Sequence, residues 1–398
     1  MHESSVLTRR MPLWRLAFRP FFLLAAAFGL LAMLVWGGVW NGQMWLAPYG
    51  GLMWWHPHEM LFGFAAAVVV GFLLTAVQNW TGRPGLSGWP LLGLAALWLA
   101  ARLAIAFPQG LSPAWVAGID LAFLPLAAVL LARPVIHRRQ WRNLVFVPVL
   151  ALLAVANLAM HLALFGGAPG LLHGGESLAV LLITLLMVIL GGRVIPFFTA
   201  RRLNRPQASR PLVLEATAIG GVVALVGLQL AALVGGDVPA GLWAVVAGVA
   251  ALANLVRGLR WAGWQGWREP LLWSLHLSYA FVCLGLAMWA LSAWTLVSLS
   301  LAIHALTVGG MGGMMLAMMA RVALGHTGRA LVAPRGIATA LALMLLAGVA
   351  RALLPAIWPQ TRPVALDIAV LAWSLALALY LVRYVAVLGG RRADGAPG

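Results

Sequence analysis

The sequence predicts an all-α polytopic membrane protein of about twelve transmembrane helices, and three observations carry that prediction. Hydrophobic residues make up 63% of the 398-residue chain and charged residues only 9%, with a mean hydropathy of +0.97. Soluble domains carry roughly 25% charged residues, because a water-facing surface needs them. Here there is too little charge to cover a globule, so lipid must cover it. Apolar runs of about 18 residues or more, enough for a hydrocarbon core of ~30 Å, recur along the whole length. Lastly, the 26 basic residues are all arginine, and they fall in alternate gaps between those runs.

Taken in order, the spans lie near 21–40, 58–80, 89–107, 113–132, 143–165, 173–198, 211–234, 239–259, 270–291, 294–320, 336–356 and 363–388. The start of the chain is rich in arginine before its first apolar run, as in a signal peptide. That run is too long for a signal core and lacks a cleavage site, so it reads as an uncleaved first span. The weakest break falls at Ser292, between spans nine and ten. The loop Arg201-Arg202-Leu203-Asn204-Arg205-Pro206 is a candidate hinge between two halves. No soluble domain is evident, and residues 1–398 read as one transmembrane domain.

Counting arginines in alternate gaps assigns every one to a single side except Arg102, Arg351 and Arg362. Moving one helix out of the count would scramble this segregation. By the positive-inside rule the arginine-rich side, with both termini, is cytoplasmic. Trp45, Trp54, Trp55 and Trp115 would then form the outer aromatic belt, and Trp80, Trp89, Trp141, Trp261, Trp264 and Trp267 the inner one. The net charge of +17 is thus accounted for by topology, and nucleic-acid binding is excluded because no soluble basic face exists. The single cysteine, Cys283, excludes an internal disulfide, a thiolate cluster and c-type haem attachment. Any metal must be held by His, Met, carboxylate or backbone.

His2, His137 and His326 fall in the tail or cytoplasmic loops and read as solvated. The other six lie at membrane depth: His56, His58, His161 and His173 at the external level, His276 deeper in span nine, and His304 in span ten. A repeat relates two of them. From His58 to Thr81-Gly82-Arg83, and from His304 to Thr327-Gly328-Arg329, the separation is the same, 23 residues. At ~1.5 Å per residue both histidines then sit about 35 Å from the turn, in the external third. His173 precedes Pro196 by that interval too, so spans two, six and ten are matched and three four-helix units are conceivable.

Ionisable residues inside a membrane are costly and suggest function, although a lone histidine can simply pack and bond a neighbouring carbonyl. Two histidines at one depth on different helices suit the axial positions of a b-type haem, and imidazole also suits copper. His58 and His304 are therefore the haem candidates, with Arg102 and Arg351 either as propionate partners or as snorkelling interfacial residues. In His56-Pro57-His58-Glu59, proline fits a first helical turn, which puts His56 at the cap. Glu59 can then orient a ligand histidine from behind; otherwise the motif is an interfacial cap. His304, Thr307, Met311, Met315 and Met318 share one α-helical face, so His304 and Met311 are candidate copper ligands, or the methionines fill a core. The paired glycines of Gly309-Gly310-Met311-Gly312-Gly313 allow close helix approach. Glu176, one turn after His173, together with Asn157 and His161, can relay protons or bind a cation, or else bond between helices. Arg19-Pro20-Phe21-Phe22 and Arg193-Val194-Ile195-Pro196-Phe197-Phe198 read as span-boundary anchors.

These residues resemble the NnrS family of bacterial membrane proteins. The resemblance rests on Phe18-Arg19-Pro20-Phe21-Phe22, Trp55-His56-x-His58-Glu59-Met60-Leu61-Phe62-Gly63-Phe64 and Gly71-Phe72-Leu73-Leu74-Thr75-Ala76-Val77-x-Asn79-Trp80-Thr81-Gly82. It continues in Asn157-x-x-x-His161, Gly192-Arg193-Val194-Ile195-Pro196-Phe197-Phe198-Thr199 and His326-Thr327-Gly328-Arg329. It implies a twelve-span protein containing haem and copper and linked to nitric oxide metabolism and nitrosative stress. Nitric oxide or a related small molecule, an unknown electron donor and the bilayer are its implied partners. A looser architectural analogy to haem-copper oxidases would put a low-spin haem between His58 and His304, with His173 near a second metal. It stops there, since span seven here has no histidine. Against this stand two other classes: a secondary transporter, disfavoured because the polar groups gather externally rather than at the midplane, and a non-catalytic metal or nitric oxide sensor or assembly factor.

Overall fold

The computed structural model describes residue 8, residues 11–166, residue 168 and residues 170–396; His2, Arg9 and Arg10 lie outside them. Among the described residues, twelve helices are long and apolar enough to cross a membrane: α1 (Phe18–Trp40), α2 (Leu52–Thr81), α3 (Gly88–Ala106), α4 (Pro113–His137), α5 (Trp141–Leu164), α6 (Gly170–Arg202), α7 (Leu212–Leu233), α8 (Ala240–Arg260), α9 (Pro270–Ser292), α10 (Leu299–His326), α11 (Ile337–Ile357) and α12 (Pro359–Gly389). Among the described residues there is no strand. In lipid this is the only economical answer, because each helix satisfies its own backbone N–H and C=O groups where water cannot.

Local signals set the helix ends. Pro113 opens α4 behind Ser112, whose hydroxyl accepts from the Trp115 N–H at 3.3 Å, and Pro270 opens α9. Gly82 ends α2 in the left-handed conformation at φ +65°, which a glycine adopts without a Cβ clash. The break at Ser292 is genuine: α9 ends on that residue and α10 begins at Leu299.

Three spans contain π-helical stretches: Glu59–Ala65 in α2, Ala305–Gly312 in α10 and Val349–Leu353 in α11. The first two begin on the residue after His58 and after His304. Each of those helices ends in a Thr-Gly-Arg turn with a positive-φ glycine, Gly82 or Gly328. The sequence repeat therefore corresponds to a repeated local structure. Span six has no such stretch, since α6 is α-helical throughout. The π stretch in α10 also corrects the shared face read from the sequence, because the 100° phase does not persist across it. Met311 and Met315 are buried, whereas His304, Thr307 and Met318 are half-buried.

Contacts divide the chain into two compact units. The first comprises residues 1–176, 319–331 and 377–398; the second comprises 177–318 and 332–376. The division falls inside α6 and not at the loop after Arg201, so that loop is not the boundary between halves, and the units number two where the repeat suggested three. In the first unit α2 packs on α1 and α4, and α4 packs on α3 and α5. Arg19 is fully buried there. Its Nη1 donates to the Leu388 and Gly390 carbonyls at 2.8 and 2.7 Å, capping the end of α12. In the second unit α8 packs between α7 and α9, and α9 and α11 flank the π stretch of α10. Gly309 and Gly348 let the α10 and α11 backbones approach so closely that a methyl on Gly348 would overlap the Gly309 backbone.

Candidate functional site

The first unit holds a buried polar cluster drawn from four helices. His58 and Glu59 come from α2, Arg102 from the last turns of α3, Asp120 from the early turns of α4, and Asn157 with His161 from one face of α5. By chain direction all lie near the end opposite the arginine-rich side. His58 is fully buried and Asp120 is 2% exposed.

Local structure explains how neighbouring residues enter one cluster. The helix starts at Leu52, earlier than the sequence suggested, so Pro57 sits inside it and His56 is not at the cap. Pro57 has no N–H to give to the preceding turn, and the backbone re-pairs in a wider π turn from Glu59. Such insertions recur at functional sites. Two π-stretch groups are then used by α3. The Gly63 carbonyl accepts from Trp98 Nε1 at 3.0 Å. A side chain at Gly63 would overlap Phe28 and crowd Arg102 Nη1.

The geometry centres on one oxygen. Asp120 Oδ2 lies 3.1 Å from His58 Nε2 and 3.1 Å from His161 Nε2, and it accepts from Asn157 Nδ2 at 2.7 Å. His58 Nε2 also lies 2.9 Å from Asn157 Oδ1, and its Nδ1 lies 2.9 Å from Glu59 Oε1. Arg102 donates through Nη1 to Glu59 Oε1 at 2.5 Å and through Nη2 to Asp120 Oδ1. Tyr49, on the loop before α2, lies with its hydroxyl 3.3 Å from His161 Nδ1. Trp54 stacks on the His58 ring at 4.1 Å between centroids and donates to the Met160 carbonyl.

Hydrogen-bond accounting assigns the protons. Both nitrogens of His58 face acceptors, so the ring donates from both. His161 donates from Nε2 to Asp120 and accepts at Nδ1 from Tyr49. With Glu59 and Asp120 ionised and Arg102 and His58 cationic, the cluster is neutral, which is what a buried group of charges requires. Two buried polar atoms remain without a partner, Glu59 Oε2 and Arg102 Nε.

His58, Glu59, Arg102 and His161 come together in one cluster, with Glu59 holding the ring of His58 from behind. Arg102 does not snorkel: it is buried and clamps two carboxylates. His56 stands outside the cluster, stacked on Trp36 at 4.2 Å. His173 is a correction, since its side chain is 81% exposed and its nearest carboxylate is Glu176, at 3.6 Å. His326 is corrected too: it is half-buried with its ring 5.5 Å from Phe18. His304, Met311 and Arg351 belong to the second unit. His304 Nδ1 donates to the Ser300 carbonyl at 2.6 Å, leaving Nε2 as the acceptor nitrogen of the ring. His276 lies 2.9 Å from the Thr199 hydroxyl. Sequence reasoning missed Asp120, although a lone acid inside an apolar run is a signal in itself. It also took Trp54 and Trp55 as belt residues; both are buried, while Trp45 and Trp115 are exposed.

The His58, Asp120 and His161 ligand atoms all lie within 4.8 Å of one another, a separation that one small metal ion can span.

Fold and site together define a polytopic membrane protein with an ionisable, ligand-rich centre inside its span. The NnrS family model, described as NnrS protein, matches residues 12–392, and the chain belongs to the NnrS family. Membership points to a membrane protein related to nitric oxide. A search of curated proteins returned no match.

Proposed function

We propose that the protein binds copper at His58, His161 and Asp120 and acts in nitric oxide metabolism or the response to nitrosative stress, in the inner membrane of a bacterium with both termini cytoplasmic. The observation that carries this reading is the convergence of two imidazole Nε2 atoms on one carboxylate oxygen at 3.1 Å each, in a fully buried site. Imidazole nitrogen suits copper. Charge supports a monovalent ion: when Nε2 of His58 exchanges its proton for one positive charge, the cluster stays neutral. Glu59 Oε2, buried and unpartnered, is a further oxygen at hand, while Glu59 Oε1 fixes the ring through Nδ1. Arg102 holds both carboxylates in place, and Tyr49 orients His161. Copper held there would supply one-electron exchange and affinity for nitric oxide.

Haem fits His58 poorly. Trp54 stacks on the ring and Phe62 lies against it, which leaves no room beside it for a macrocycle. His304, whose Nδ1 donates to the Ser300 carbonyl, would be the haem-binding histidine in place of His58. The electron donor follows from neither unit.

The test is metal analysis with an optical spectrum of detergent-purified wild type, His58→Ala, His161→Ala, Asp120→Asn and His304→Ala. Copper should drop below a tenth of the wild-type content in the first three variants. Reduced haem bands should disappear only in the fourth. Copper retained at wild-type level in both His161→Ala and Asp120→Asn would sink the assignment. Nitric oxide titration of the copper-loaded protein then tests the reaction partner.

A further inference from the structure

At the arginine-rich end of the first unit, the turn between α2 and α3 and the last turns of α4 line an open cavity of about 880 Å³. Leu74, Val77 and Leu130 form its apolar wall, and Arg83, Arg133 and His137 its polar rim. Arg83 Nη2 donates to His137 Nε2 at 2.5 Å, which ties the α2–α3 turn to the end of α4 and keeps the rim in place. Neither residues 74–90 nor residues 121–142 contain an aspartate or glutamate, so no acid on the lining segments neutralises the two guanidinium groups.

The walls continue onto the lipid-facing surface. Val129 and Ile136, which also line the cavity, are 47% and 51% exposed, and Trp89 at the start of α3 is 53% exposed, as an interfacial indole is. A soluble anion would be matched by the arginines but not by the apolar wall beside them. A lipid phosphate with an attached acyl chain is matched by both. The volume lies within the usual range for a small-molecule site, and guanidinium is the preferred partner of phosphate.

We propose that this cavity binds an anionic phospholipid, its phosphate held by Arg83 and Arg133 and one acyl chain lying along Leu74, Val77 and Leu130. His137 acts as the brace that keeps Arg83 at the rim. The site is separate from the His58 cluster and does not depend on the copper assignment.

Native mass spectrometry of the full-length protein, titrated with phosphatidylglycerol or with phosphatidylcholine of the same chains, tests this. Wild type should retain phosphatidylglycerol preferentially. Each interfacial arginine is worth about fivefold in partitioning to an anionic headgroup, so Arg83→Gln with Arg133→Gln should weaken retention about 25-fold. Leu130→Trp fills the apolar wall, leaves both arginines in place, and should weaken it as well. Arg335→Gln, in an arginine-rich gap of the second unit and not among the lining residues, should not. Should the double variant lose its helical circular dichroism, Leu130→Trp is the deciding variant. Three results overturn the proposal: equal retention of both lipids, phosphatidylglycerol retention undiminished in the variants, or displacement by millimolar inorganic phosphate with Leu130→Trp silent. The last would mark a site for a free anion.

Discussion

Each unit buries an arginine against carboxylate, but the two arrangements differ in how completely they close. In the second unit Arg257 is 2% exposed and takes both oxygens of Glu215, through Nε at 2.8 Å and Nη2 at 2.6 Å. Its Nη1 donates to the Val188 carbonyl and the Tyr279 hydroxyl at 2.9 and 3.1 Å. Tyr279 passes its own proton to Asn254 Oδ1 at 2.5 Å, and the Asn254 amide bonds two helix carbonyls. None of these side chains leaves a buried polar atom without a partner. In the first unit Arg102 likewise spans two carboxylates, yet two imidazoles crowd one Asp120 oxygen while Glu59 Oε2 has no partner. A closed network rigidifies packing. An unclosed one built of metal-ligating atoms is suited to take in a further group. Arg257 thus belongs to a closed network, and Arg102 to the open one proposed above to bind copper.

The largest expected effects fall on the two clusters, beginning with the closed network. Arg257→Ala should cost about 3 kcal/mol, since it removes a buried guanidinium and leaves the half-buried Glu215 without its cation, and thermal unfolding of the whole protein in detergent reports it. Copper content should stay at the wild-type level. A loss under about 1 kcal/mol would remove the distinction between the clusters.

Arg102→Gln sharpens the comparison from the other side. Without copper the variant should lose about 3 kcal/mol, because Glu59 and Asp120 then repel in a buried site. Copper(I) should recover part of that loss, since binding at 100-fold the dissociation constant supplies about 2.7 kcal/mol. The same addition should raise the midpoint of wild type and leave the deficit of Arg257→Ala unchanged. Midpoints of wild type and Arg102→Gln that copper(I) leaves unchanged would make both clusters mere locks.

The smallest effect lies outside both clusters, in the tail that docks on the second Thr-Gly-Arg turn. The Ala393 N–H donates to the Thr327 carbonyl at 2.9 Å, and Arg392 pairs with Asp394. That hydrogen bond from Arg392 holds the Asp394 carboxyl down at about 2, below the ordinary 3.8. A depressed carboxylate stabilises above its ordinary value and ceases to do so as pH falls through the depressed one. Hydrogen exchange at Ala393 should therefore be protected above about pH 4 and lose protection towards pH 2. Asp394→Asn should flatten that profile; an unchanged slope would show that the pair does not hold the tail.

Much of this was legible in residues taken singly. Twelve apolar runs and segregated arginines gave the spans to within a few residues at most ends. The His58 and His304 repeat anticipated matched helices, because a 23-residue interval ending in Thr-Gly-Arg fixes depth as well as sequence. Glu59 behind His58, and Asn157 with His161 one turn apart, were readable as local geometry. Less was legible where a residue's partner is distant in the chain. His173 has the same sequence credentials as His58, yet it faces outward. Arg257 counted as a loop arginine, whereas it is buried beneath Gly192, where a methyl would overlap its guanidinium.

What the sequence determined by itself is the number and extent of the apolar helices, because hydropathy acts on each segment independently of the others. Only the tertiary structure decided which polar groups meet. Pro57 and the π turn after it rotate His58 and Glu59 towards Asp120, a residue on another helix, and a contact between helices is written in no single segment.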